Sequence, residues 1–158
     1  RRVADVRGAG ACGAVLAVRA KADRAVDAFR TMRSEHVSSV AVVDDDTGAL
    51  VDVLSVKDVR ALAKDDALFF HRFFQPVGEL LHHMANDPKH MRPRRIVTVR
   101  SDDTFEHVLS TLVAKGVHRV YVVDDNKKPT KVLSLRDVLA ELISTWSSNE
   151  GGAAGAAT

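Results

Sequence analysis

The sequence predicts an α/β (α+β) fold, built as a pseudo-two-fold pair of βαββα repeats, each a small sheet with helices packed on one side. Three observations predict it. Ala25, Ala28, Phe29 and Met32 fall at i, i+3, i+4 and i+7, and Phe105, Val108, Leu109 and Leu112 repeat the spacing, the stripe of a helix that buries one face. The short apolar runs 40–43 and 120–123 read as buried strands, and each ends in an Asp-Asp turn. One offset relates the copies: Phe105 lies 80 positions after Ala25, Val117 lies 80 after Val37, and Asp124 lies 80 after Asp44. Agreement of several elements at one offset marks an internal repeat. A lone copy leaves a sheet face and a helix stripe open, which a second copy covers.

Taken in order, residues 15–18 read as a short opening strand, and the helix carrying Ala25 follows as a crossover to the parallel run 40–43. Asp44 to Gly48 is turn chemistry, 50–54 is the next strand, and Ser55 caps a helix to about residue 64. The stretch 68–74 holds four of the six phenylalanines and reads as core first; its five apolar residues in seven cannot all face one helix side, so part of it is open to a partner. Val77, Leu80, Leu81 and Met84 repeat the helical stripe, and a basic loop broken by Pro88 and Pro93 runs on from there to Arg95. The pattern restarts with a strand at 96–99, a helix capped by Ser101, Asp102 or Asp103, and the run 120–123. Asp137 follows Asp58 by 79 positions, so the second turn is one residue shorter. The expected organisation is a first repeat over 1–66, connecting helices and the basic loop over 67–95, a second repeat over 96–146, and a disordered Ser-, Gly- and Ala-rich tail over 147–158.

Of the 158 residues, 46% are hydrophobic and 28% charged, ordinary for a globular chain, and a net charge of +2 gives no argument for nucleic acid. No stretch approaches the roughly 20 apolar residues of a membrane span. Cys12 is the only cysteine, so an intramolecular disulfide is excluded and a reducing compartment fits. The expected setting is intracellular and cytoplasmic. The first residue is Arg1, which leaves an upstream targeting segment open. No nucleophile–base pair, glycine-rich phosphate loop or catalytic carboxylate pair is visible, so no enzyme is expected. The histidines His82, His83 and His90 have no spacing diagnostic of a metal, and none is expected.

Two constellations carry chemistry. Ser55-x-x-Asp58 and Ser134-x-x-Asp137 each stand where a strand passes into a helix. A carboxylate there can accept hydrogen bonds from both hydroxyls of a ribose, and the same pattern is also a plain capping box. The pair His118-Arg119 precedes the run 120–123. It suits phosphate oxygens, or it is a solvated pair at a strand start. The matching positions of the first repeat are Ser38 and Ser39, so any two sites are unequal.

With those residues laid out, the chain resembles a tandem pair of CBS domains, a Bateman module, from Val3 to Ser144. Within that family it is similar to the C-terminal CBS pair of the γ regulatory subunits of AMP-activated protein kinase. The likeness is carried by Val37-Ser38-Ser39-Val40, by Val51-Asp52-Val53-Leu54-Ser55-Val56-Lys57-Asp58, and by Val117-His118-Arg119-Val120 through Asp137. The resemblance implies AMP, ADP or ATP in the cleft between repeats, with S-adenosylmethionine less expected. It implies ribose on Asp58 and Asp137, phosphate on His118 and Arg119, and adenine against the opening segments that contain Val18 and Val99. The glycine frequent before the family's last strand is Asp52 in one repeat and Lys131 in the other. The implied function is regulatory, passing occupancy to a protein kinase or other regulated protein. The implied assembly is a homodimer, or a pairing with a second CBS pair, through helix faces carrying Val56, Val59, Leu62 and Val138, Leu139, Leu142. A dimerising or scaffolding module without regulatory nucleotide is the alternative.

Overall fold

The computed structural model describes residues 2–3, 15–63, 69–87 and 96–150. They divide into two compact units. One holds the described residues of Val15–Ile96 together with the turn Val123–Pro129, and the other holds Arg2 and Val3, 97–122 and 130–150.

In the first-repeat unit, β1 (Ala17–Arg19), β2 (Ser39–Val43) and β3 (Leu50–Ser55) form one sheet in the order β1-β2-β3. Ala17 lies opposite Ala41 in the parallel pair, and Ser39 opposite Ser55 in the antiparallel pair. Parallel neighbours need a crossover. Helix α1 (Ala25–Ser34) provides it and buries Ala25, Val26, Ala28 and Met32. Helix α2 (Val56–Leu62) leaves directly from β3. Of the helices expected as connectors, α4 (Val77–Asn86) is part of this unit's core, while α3 (Phe69–Phe73) has no buried residue and packs Phe69 and Phe73 against that core. Val77, Leu80, Leu81 and Met84 cluster with Val18, Met32, Val40, Val42 and Leu54, because that face of the sheet gives α4's stripe a place to bury. Phe73 stacks on Phe29 with ring centroids 5.3 Å apart, while Phe70 and Phe74 face solvent. Of the basic loop, residues 88–95 lie outside the described residues.

In the second-repeat unit, β4 (Thr98–Arg100), β5 (Arg119–Val123) and β6 (Pro129–Ser134) form a sheet in the order β4-β5-β6. Helix α5 (Phe105–Lys115) lies between β4 and β5 in the chain, and α6 (Leu135–Glu150) follows β6. Val3, Val99, Val108, Leu112, Val120, Val122, Leu133 and Val138 make the core. The α5 cap is Thr104, whose Oγ1 accepts the His107 N–H at 3.2 Å. Asp103, one of the three expected caps, instead accepts the Arg100 N–H at 2.7 Å and closes the turn before it. Helix α6 runs past position 146, so 147–150 are helical and not tail. Ser147 is tolerated there because its Oγ donates back to the Ile143 carbonyl at 3.0 Å. Residues 151–158 lie outside the described residues.

Each unit closes one of its strand–helix turns with a segment distant in sequence. The Val77 N–H donates to Asp23 O at 2.9 Å, and the Val3 N–H donates to Asp103 O at 3.0 Å. Isolated bridges join Arg24 to Pro76 and Arg2 to Thr104. In each case the docked segment lies within the same unit as the turn that it closes. The helix ends differ: Gly116 ends α5 at φ 58°, while His36 takes φ 54° at the matching place after α1.

Candidate functional site

The candidate site of the second-repeat unit forms where β5 begins and α6 begins. The Leu135 N–H, first of α6, donates to the His118 carbonyl at 2.8 Å. This bond holds His118-Arg119 against the first helical turn. On that turn the Asp137 Oδ2 accepts the Ser134 N–H at 2.8 Å and the Ser134 hydroxyl at 2.7 Å. The Asp137 N–H reaches Ser134 Oγ at 3.3 Å, which completes a capping box. His118 is exposed, and Arg119 and Asp137 are half-buried. Four of the expected residues, Ser134, Asp137, His118 and Arg119, therefore meet at one helix N-terminus, which favours negative charge.

The first-repeat unit has the same joint without the basic pair. The Val56 N–H donates to Ser38 O at 3.0 Å. Asp58 Oδ2 accepts the Ser55 N–H at 2.8 Å and the Ser55 hydroxyl at 3.2 Å, again as a capping box. Asp58 and Ser39 are buried. The two carboxylates thus share a capping role, and they differ in enclosure and in the cations beside them.

Val18 and Val99 sit at the centres of β1 and β4 with their side chains in the two hydrophobic cores. The strand residues on either side of them, Ala17, Arg19, Thr98 and Arg100, are exposed. Alternation along β6 puts Lys131 on the sheet face opposite Ser134, the face of buried Leu133. Asp52 stands likewise opposite Ser55, on the Leu54 face, and is buried.

The acidic doublets organise turns. Asp44 Oδ1 accepts the Thr47 N–H and hydroxyl, each at 2.9 Å, and the Asp46 N–H at 3.2 Å. Those bonds, led by the Thr47 N–H, hold the Asp44 carboxyl below the usual carboxylate range. Among the described residues no group of three or more His, Cys, Asp or Glu side chains is placed to hold a metal, and no helix is long and apolar enough to cross a membrane. Cys12 and His90 lie outside the described residues.

The CBS domain description matches residues 14–65 and 77–144. The chain belongs to the CBS domain family. As a CBS pair it is 30% identical over 118 residues to the 5'-AMP-activated protein kinase subunit gamma of Dictyostelium discoideum; the match covers 75% of this chain and spans 20% of that subunit's length. Two solved structures share the fold. CBSX2, in complex with AMP, aligns with a TM-score of 0.67 at 20% identity over 92% of this chain and 98% of its own. The CBS domain pair of MJ0100, in complex with 5-methylthioadenosine and S-adenosyl-L-methionine, aligns with a TM-score of 0.63 at 14% identity over 92% and 98%.

One surface of this CBS pair extends beyond the expected residues. Leu62 and Val138, expected on interface faces, are buried in their own units' cores. The exposed apolar stripe on α6 is Leu135, Leu139, Leu142, Ile143 and Trp146, with Trp146 70% exposed. The 4-3-4 spacing of positions 135, 139, 142 and 146 was the signal available in the sequence, a seam that fits another helix.

Proposed function

We propose that this CBS pair is a regulatory, non-catalytic module that binds an adenine nucleotide at the start of α6. Asp137 holds the ribose, and His118 and Arg119 hold the phosphate. The observation that carries this reading is the 2.8 Å bond from the Leu135 N–H to the His118 carbonyl, because it brings cations and carboxylate to one helix start. Arginine's planar fork suits phosphate oxygens, and an ionised carboxylate accepts from a diol. The kinase γ subunit among its relatives and the AMP complex of CBSX2 support an adenine nucleotide over other anions. The S-adenosyl-L-methionine in the MJ0100 complex makes that ligand the comparison to run. Asp58 offers a separate, weaker site, since Ser38 and Ser39 replace the basic pair. AMP, ADP or ATP acts by differential affinity for two arrangements of the module, and the regulated protein is a protein kinase or a similar enzyme in an intracellular setting. Calorimetry of AMP, ADP, ATP and S-adenosylmethionine against the purified chain tests the reading. Micromolar binding of a nucleotide supports it, and no heat from any of the three nucleotides contradicts it.

The exposed α6 stripe favours a second reading, a module that pairs with another CBS pair and carries no regulatory nucleotide. A melting temperature indifferent to saturating AMP, ADP and ATP would favour that reading over the first.

A further inference from the structure

The turn between β5 and β6 is part of the first-repeat unit, although residues 119–122 and 130–134 of those strands belong to the second-repeat unit. Two contacts attach it there. The Leu50 N–H, first of β3, donates to the Lys127 carbonyl at 2.9 Å. The aliphatic stem of Lys128 passes over Gly48, where a Cβ would stand 3.4 Å from Lys128 Cε. Both turns that meet here are stiff. Asp124 Oδ1 accepts the Asn126 N–H at 2.9 Å and the Lys128 N–H at 2.8 Å, and the Asp124 carbonyl accepts the Lys127 N–H at 3.0 Å. These bonds hold Lys127 at φ 60°, a left-handed conformation that is costly for a side chain. Asp44 closes the other turn through the N–H groups of Thr47 and Gly48, each at 2.9 Å.

The strands lead from this attachment to the candidate site. Away from the turn, β5 starts at Arg119, next to His118, and β6 ends at Ser134, the partner of Asp137. The Thr130 hydroxyl donates to the Val122 carbonyl at 3.2 Å and ties the two strands together just before the turn. On the first-repeat side, β3 runs from Leu50 to Ser55, the partner of Asp58. In its sheet β6 has one neighbour, β5, which makes it the strand that opens most readily. A ligand held by His118, Arg119 and Asp137 clamps one end of the β5–β6 pair, and a clamped pair releases its tip less often.

We propose that the Leu50–Lys127 bond is a latch through which nucleotide at the start of α6 acts on the first-repeat unit. The proposal rests on the nucleotide reading. Amide hydrogen exchange of the full chain, followed by NMR with and without AMP and beside calorimetry, tests it. AMP should slow exchange of the Leu50 amide at least about fivefold, the low end of coupling between sites, and change the α1 amides of the same unit by less than about twofold. Asp58→Ala should keep the Leu50 response, and Asp137→Ala should abolish it at an AMP concentration that saturates the wild type. Asp124→Ala removes the acceptor that stiffens the turn. It should bind AMP within about twofold of the wild type, as expected of a distant site, and lose the Leu50 response. AMP that binds through Asp137 without changing Leu50 would overturn the latch and leave the nucleotide reading standing, whereas no AMP binding would overturn both. Equal slowing throughout α1, a response that survives Asp124→Ala, or one that follows Asp58 in place of Asp137 would each overturn the latch as well.

Discussion

The backbone of His118 accepts the first N–H of α6, from Leu135, at 2.8 Å. Ser134, immediately before Leu135, is the cap on which that joint depends. Ser134→Ala should cost about 1 kcal/mol of stability, the usual loss for a capping hydroxyl, and should also weaken AMP binding by freeing Asp137 to change rotamer. Urea denaturation beside calorimetry reads both. An unchanged urea midpoint would show that the cap is idle.

The two repeats contain a matched test of backbone strain. Gly116 and His36 both take left-handed φ, and only one of them is glycine. A side chain in that region costs roughly 1–2 kcal/mol, so His36→Gly should stabilise the protein by up to about that amount. Gly116→Ala should destabilise by a similar amount, since a Cβ there meets nothing within 4 Å and the backbone is the whole cost. Thermal melts of the two variants should move in opposite directions.

The repeat, the strand–helix order and the Ser-x-x-Asp pairs were legible because they rest on local spacing. The stripe at 25, 28, 29 and 32 became α1, and the equivalent stripe at 77, 80, 81 and 84 became α4. What that second stripe packs on was not legible, because a periodicity names a buried face and not its neighbour. Hence α4 read as a connector and is core. Val18 and Val99 were placed by resemblance to a ligand-lining segment, and the alternation of their strands turns both side chains inward. The Thr104 cap was obscured by three acceptors just before it, of which Asp103 is taken by Arg100. The close approach of α4 to Ala20, where the Gly78 N–H donates to the Ala20 carbonyl at 2.8 Å, left one trace in the sequence, Gly78 inside a helical stripe, and a glycine there signals such an approach only once the opposing chain is known.

The turn after β2 should respond to acid in a defined direction. Asp44 has its carboxyl held below the usual range by Thr47. A depressed folded value contributes stability that is fully present above the unfolded pKa and is lost as pH falls through the folded one. Acid should therefore loosen this turn only below the ordinary carboxylate range. Thr47→Val removes the hydroxyl donor and should raise the Asp44 titration midpoint, read by NMR of its carboxyl carbon. An unmoved midpoint would remove the Thr47 hydroxyl as a cause.

The α6 stripe carries the assembly proposal. Leu139 and Ile143 are exposed large apolar groups on one helix face, and such a face is the kind that associates. A second CBS pair is the proposed occupant, because the 4-3-4 seam fits a helix. Sedimentation should show a dimer that Leu139→Lys with Ile143→Lys dissociates. A chain monomeric at high micromolar concentration, with and without AMP, would rule out a second copy and leave the other half elsewhere in a longer protein or on a partner.

The central claim is that Asp137 and Arg119 divide one nucleotide between ribose and phosphate, and paired calorimetry of AMP and adenosine on three proteins tests it most directly. Asp137→Ala should weaken both ligands by roughly 1.5–3 kcal/mol, the range for hydrogen bonds to a charged group, since both carry the ribose diol. Arg119→Ala should weaken AMP by a similar amount and leave adenosine within about twofold, since only AMP carries phosphate. Unchanged AMP affinity in both variants, with the fold intact, would contradict the account.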